Sequence, residues 1–200
     1  MGWVPLISPG VAKDLERLAS HPKFRGVRHV LQGEADPDYM LREDFNRGIR
    51  ALRDFDLVYD ILILERQLSN AIKLVDQHPN QIFVLDHIAK PRIRENLMDP
   101  WKKYFGALAE REHVYCKLSG LVTEADHAAW TPAQLKPYLN EALRVFGPKR
   151  LMFGSDWPVC LLAGSYEKWH EVFSDFISML SKDEKDRIMG ETAREAYGIG

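Results

Sequence analysis

His78-Pro79-Asn80-Gln81-Ile82-Phe83-Val84-Leu85-Asp86-His87-Ile88-Ala89-Lys90-Pro91 carries the marks that decide the fold. A short join, His78-Pro79-Asn80, follows a helical pattern over Arg66–Gln77. It leads at once into a nearly continuous apolar run, Gln81–Ile88, the composition of a strand buried on both faces. The connection that leaves the run, Ala89–Pro100, is long.

The same order recurs on either side. Apolar runs rich in β-formers stand at Trp3–Ser8, Gly26–Leu31, Leu57–Leu64, Val114–Leu118 and Arg150–Gly154. Helical patterns follow them: one started by Pro9 after Ser8, then Leu41–Phe55, Trp101–Arg111, Ala133–Phe146 and Tyr166–Leu180, with a last helix over Asp183–Tyr197. Asp99-Pro100 and Thr131-Pro132 have the form of helix starts, a capping side chain followed by proline. Strand and helix in alternation predict a parallel sheet of βαβ units. Helix-to-strand joins are short, as in Gly147-Pro148-Lys149, whereas Gln32–Met40, Ser119–Pro132 and Asp156–Ser165 after strands are long. Active sites of such folds lie on the strand-to-helix side, so the long joins mark the expected functional face.

No glycine-rich phosphate loop follows any strand, which favours a closed barrel over a doubly wound sheet. A full barrel averages roughly 31 residues per β/α unit. Six strands in 200 residues therefore predict a TIM-like (β/α)8 barrel that is incomplete, about six units of eight. The expectation is one domain over residues 1–200 without the first two units, with open sheet edges through which the chain would self-associate.

Composition narrows the class. A net charge of −2 gives no electrostatic footprint for nucleic acid or an anionic membrane. Two distant cysteines, Cys116 and Cys160, make neither a disulfide framework nor a CxxC zinc motif. The first residues lack the order of a signal peptide, and a cytoplasmic location is expected.

Chain polarity sorts the histidines. His21, His78 and His113 precede strands and are expected to be structural; His170 lies within a helix. His87 closes its strand, where a buried imidazole can act as ligand or electrophile. In Leu151-Met152-Phe153-Gly154-Ser155-Asp156-Trp157-Pro158, period-two alternation puts Met152, Gly154 and Asp156 on one side, with Gly154 leaving room below the carboxylate. Asp156 can then take a proton from water or hold a metal that activates water, or it can simply cap a turn. Trp157 offers an apolar wall against bulk water. Arg28 suits a substrate carboxylate or hydroxyls. Lys117 and Lys90 suit either an oxyanion or an ion pair.

Four segments in order, Phe24–His29, Val84–Pro91, Cys116–Leu121 and Arg150–Pro158, resemble the amidohydrolase-related (amidohydrolase 2) family of metal-dependent hydrolases, nearest to its sugar-lactonase branch. The resemblance implies hydrolysis of a lactone or related carboxylic ester. It implies that Asp156 activates water, that His87 polarises the carbonyl or binds metal, and that Arg28 binds substrate. For cofactors it implies one divalent metal, zinc or manganese, held by His87 and Asp156, or none. The partner would be a small-molecule lactone or carboxylic acid. The His-x-His pair that opens the family's first strand is absent. Two alternatives therefore stand beside the lactonase: a metal-dependent decarboxylase of the same superfamily, and an inactive truncated protein that binds a partner.

Overall fold

The computed structural model describes residues 1–200. Five parallel strands form one sheet: β1 (Gly26–His29), β2 (Val58–Ile61), β3 (Phe83–Leu85), β4 (Val114–Leu118) and β5 (Leu151–Phe153). Their spatial order is β1-β2-β3-β4-β5, without a reversal. Right-handed crossovers between strands taken strictly in order put every connecting helix on the same side. A doubly wound sheet needs a switch point, and this sheet has none. The architecture is an incomplete TIM-like barrel.

Nine helices complete the chain: α1 (Val11–Ala19), α2 (Glu43–Leu52), α3 (Leu68–Gln77), α4 (Trp101–Ala109), α5 (Leu121–Glu124), α6 (Pro132–Phe146), α7 (Tyr166–Phe176), α8 (Lys182–Asp186) and α9 (Thr192–Ala196). Thr131 caps α6, its hydroxyl accepting from the Gln134 amide at 3.4 Å, with Pro132 at the first helical position. The matching expectation for Asp99 is not met. Helix α4 begins at Trp101 after Pro100, with no capping side-chain bond. The expected last helix is divided, because a π turn over Arg187–Glu191 separates α8 from α9.

Register settles what each face does. On one face Val27, Tyr59, Ile61, Phe83, Leu85, Cys116, Leu118 and Leu151 are buried against the helices in the main core. The other face is layered along the strand direction. Its lower level is apolar, with Val58, Val84 and Met152 packed against Ala193, Ala196 and Tyr197 of the C-terminal segment. One step further along the strands that face turns charged, with Arg28 beside Asp60 in β1 and β2 and Lys117 on β4. Met152, one of the three residues that alternation puts on one side of its strand, lies on this inner face.

Trp3–Ser8 departs from the strand expected there. Only Gly2 pairs with the sheet, its amide donating to Gly26 O and its carbonyl accepting from the Arg28 amide, both at 2.9 Å. Pro5 has no amide to donate, and a turn closes from the Ser8 amide to Pro5 O at 2.8 Å. Leu6 leaves the sheet to pack on α2, where a Cβ on Gly48 would stand 2.3 Å from Leu6 O. Outside Gly2, the outer edges of β1 and β5 pair with no strand. No helix is long and apolar enough to cross a membrane.

Candidate active site

Three loops at the carboxyl ends of β3, β4 and β5 build the site. After β3 the chain enters a left-handed turn: His87, Ile88, Ala89 and Lys90 have φ of 53, 46, 60 and 50°. His87 therefore does not close the strand as expected, because the strand ends at Leu85 and both Asp86 and His87 lie in the turn beyond it. Each residue in this conformation costs about 1–2 kcal/mol, more for β-branched Ile88. Tertiary bonds hold the turn. The Trp101 indole donates to Ile88 O at 2.7 Å, and the Lys90 amide donates to His87 O at 2.8 Å.

The turn points Asp86 down into the charged layer and His87 across to β4. His87 Nδ1 lies 2.8 Å from Ser119 Oγ, and Nε2 lies 3.6 Å from Asp156 Oδ1. A carboxylate only accepts, so the consistent assignment has Ser119 donating to Nδ1 and the Nε2 proton facing Asp156. Burial holds the His87 pKa below the usual imidazole value, against the pull of Asp86 and Asp156, so the ring is neutral at neutral pH.

Glycines make this approach feasible. Gly120 has φ of +68°, and a Cβ there would meet three atoms of the His87 side chain at 2.9 Å. A Cβ on Gly154 would meet Ser119 Cβ at 2.9 Å. The room at Gly154 thus serves Ser119, where the sequence pointed to Asp156. Gly120→Ala is expected to destabilise the fold by about 1–2 kcal/mol from backbone strain alone. A melting temperature lowered by about 2–8 °C and a displaced His87 ring resonance would report it. An unshifted resonance would refute the packing argument.

Asp156 follows β5 in a tight turn with φ of +55°, and its carbonyl accepts from the Cys160 amide at 2.9 Å. Its side chain is mostly buried but still reaches solvent at the mouth. Trp157 is 65% exposed, so it borders the mouth and does not seal it.

Below them lies an ion network that the sequence reading did not assemble. Lys117 Nζ sits 2.5 Å from Asp60 Oδ2 and 2.7 Å from Asp86 Oδ1. Arg28 Nη1 donates to Asp86 Oδ2 at 3.1 Å, and the Tyr197 hydroxyl donates to Asp60 Oδ1 at 2.8 Å. Both carboxylates are fully buried. Burial and the nearby Asp86 raise the Asp60 pKa to about 6. Burial works to raise Asp86 too, but Lys117, His87 and Arg28 together hold it below the usual carboxylate range. Arg28 and Lys117 are therefore largely neutralised by their own counterions.

Lys90, in the same turn as His87 and near enough to act on its charge state, pairs with Glu124 at 3.4 Å and so is not a free cation. His29 pairs with Glu34 at 2.6 Å, and the buried His78 bonds to Asn46 at 2.7 Å. Asp60, Ser119 and Tyr197 escaped the sequence reading. Asp60 carried one usable signal, a lone charge inside the apolar run Leu57–Leu64. Tyr197 carried none.

A metal finds an incomplete donor set here. Nowhere in the chain do three His, Cys, Asp or Glu side chains gather as ligands, whereas catalytic zinc ordinarily takes three from the protein. His87 and Asp156 supply two donors and no more.

The amidohydrolase 2 family model, described as amidohydrolase, matches residues 1–199. The chain is 42% identical to an L-fucono-1,5-lactonase of Burkholderia multivorans, over all of this chain and 71% of the relative. It is 37% identical to an L-fucono-1,5-lactonase of Burkholderia ambifaria, again over all of this chain and 70% of the relative. A crystal structure of a Burkholderia multivorans amidohydrolase with bound zinc superposes with a TM-score of 0.93 at 41% identity, covering 100% of this chain and 73% of that one.

Proposed function

The chain belongs to the amidohydrolase 2 family, and from that premise we propose that it hydrolyses the ring ester of an uncharged, polyhydroxylated sugar-acid lactone. The observation that carries the reading is the convergence of His87 Nε2 and Asp156 Oδ1, 3.6 Å apart at the strand mouth. Asp156 accepts a proton from water as the water oxygen bonds to the lactone carbonyl carbon. The neutral His87 donates from Nε2 to the carbonyl oxygen as negative charge develops on it. When the tetrahedral adduct collapses, the ring C–O bond breaks and the departing ring oxygen takes the proton from Asp156, leaving an open hydroxy acid. Ser119 holds the imidazole in the tautomer this requires. No step is routed through a metal, because the donors present do not complete a site.

Substrate charge follows from the ion network. Arg28 and Lys117 already face Asp86 and Asp60, so little net positive charge is left to attract an anion. Hydroxyls of a neutral lactone can share those hydrogen bonds without disturbing the charge balance. A dicarboxylate would need cations that lack counterions. The open edges of β1 and β5 are where a second copy of the chain would pair.

Initial rates over a panel of neutral aldonolactones, a pyrone dicarboxylate and dihydroxybenzoates test the proposal. We expect kcat/KM on a neutral lactone to exceed that on the dicarboxylate by at least about 10²-fold, the difference one unmatched charge makes at about 3 kcal/mol. Preference for the dicarboxylate, or carbon dioxide released from a benzoate, would overturn it.

A further inference from the structure

We infer that Tyr197 and Asp60 are positioning residues: the chain's C-terminal segment, acting through the Tyr197 hydroxyl, fixes the counterion that sets the Lys117 ammonium and Asp86 beneath His87. What is being positioned rests on the functional reading above; the contacts that do it stand independently.

Tyr197 follows α9, whose residues close the lower, apolar end of the inner face against Val58, Val84 and Met152. From there its ring passes under Lys117, with Nζ 5.6 Å from the ring centroid, and its hydroxyl reaches Asp60 Oδ1 at 2.8 Å. Asp60 Oδ2 holds Lys117 at 2.5 Å, Lys117 holds Asp86 Oδ1 at 2.7 Å, and Asp86 Oδ2 holds Arg28 at 3.1 Å. Asp86 is covalently next to His87. An unbroken series of direct contacts therefore links Tyr197, three places before the last residue, to the imidazole at the mouth. Asp60 and Tyr197 touch neither His87 nor Asp156 themselves, so any influence passes through Lys117 and Asp86.

The physical consequence concerns charge state. A buried carboxylate stays ionised only with enough donors. Asp60 has two, the Tyr197 hydroxyl and the Lys117 ammonium. The charged groups facing it are Lys117 from β4, Asp86 from the turn after β3 and Arg28 from β1, with Tyr197 as the neutral donor. Without the hydroxyl, Oδ1 becomes a buried acceptor with no partner, and protonation becomes the cheaper state. A protonated Asp60 releases its hold on Lys117, which then competes with Arg28 for Asp86.

The test follows the Asp60 carboxyl carbon by NMR from pH 4 to 9 in the full chain labelled at aspartate. Wild type, Tyr197→Phe and Asp60→Asn are compared, the last also assigning the signal. We expect Tyr197→Phe to raise the Asp60 midpoint by one pH unit or more. The part of the acid limb of kcat/KM on a neutral lactone that follows the Asp60 titration should move by the same amount, and in Asp60→Asn that part should vanish, leaving only the limb of the Asp156 base. A purely structural role would lower the rate equally at all pH values and leave the midpoint in place, which would overturn the inference. If wild type fails to turn over any lactone, the functional reading fails and the carboxyl titration alone decides this one.

Discussion

Asp156→Asn should lower kcat on a neutral lactone by about 10²–10⁴-fold, the usual contribution of a positioned base, with the fold intact. The substitution keeps shape and removes the basic oxygen. Asn accepts a left-handed backbone as readily as Asp, so the φ of +55° at this position is no obstacle. The bond that stabilises the turn, from the Cys160 amide to the residue 156 carbonyl, belongs to the backbone and survives. His87 keeps Ser119 on Nδ1, so its ring orientation is retained. Loss of the Asp156 charge removes one of the two carboxylates that pull the His87 pKa upward, leaving the ring neutral as before. KM should change little on the proposed reading, in which the ion network below, and not Asp156, binds the substrate hydroxyls. Steady-state rates together with a urea denaturation curve on the same preparation check both halves. Near-normal turnover in a folded Asp156→Asn protein would remove Asp156 from the mechanism.

The strands were legible because a parallel sheet covered on both faces needs long apolar runs, and five of the six runs proposed hold a strand. The sixth, Trp3–Ser8, has the right composition but contains Pro5, and its Leu6 is claimed by the close approach of Gly48. Propensity there loses to packing. His87 and Asp156 could be named from chain polarity, since both follow the carboxyl ends of strands. Their geometry could not. The four-residue left-handed turn that aims His87 contains no glycine, so the usual signal for positive φ is missing. The charged layer was hidden for a different reason. Arg28, Asp60, Asp86, Lys117 and Tyr197 lie on five separate segments, up to 169 residues apart in the chain, and only the folded arrangement brings their side chains together.

Lys117→Met is expected to destabilise the protein by about 3–5 kcal/mol near pH 8, the usual cost of breaking a buried ion pair from one side. A domain has about 5–15 kcal/mol of stability in total. Methionine matches the lysine stem, so lost packing is a minor part. The cost arises because Asp60 and Asp86, both fully buried, would face each other without the ammonium that lies 2.5 and 2.7 Å from them. The pH dependence gives the cleaner test. Asp60 already titrates at about 6 when folded, above its ordinary 3.8. A carboxyl raised in this way lends stability that is present below the unfolded pKa and is lost as pH rises through the folded one. Removing Lys117 takes away the strongest influence lowering both carboxyls, so Asp60 rises further and Asp86 no longer stays depressed. The folded variant then binds more protons than the unfolded chain across a wider range. Its deficit should therefore be greatest at pH 8 and shrink toward pH 4, where protonated carboxyls need no counterion. Adding Asp60→Asn to Lys117→Met should recover much of the loss at pH 8 and little at pH 4. Urea midpoints at the two pH values decide the matter: a deficit independent of pH would mean that Lys117 contributes packing, and that the carboxylates hold their charges without it.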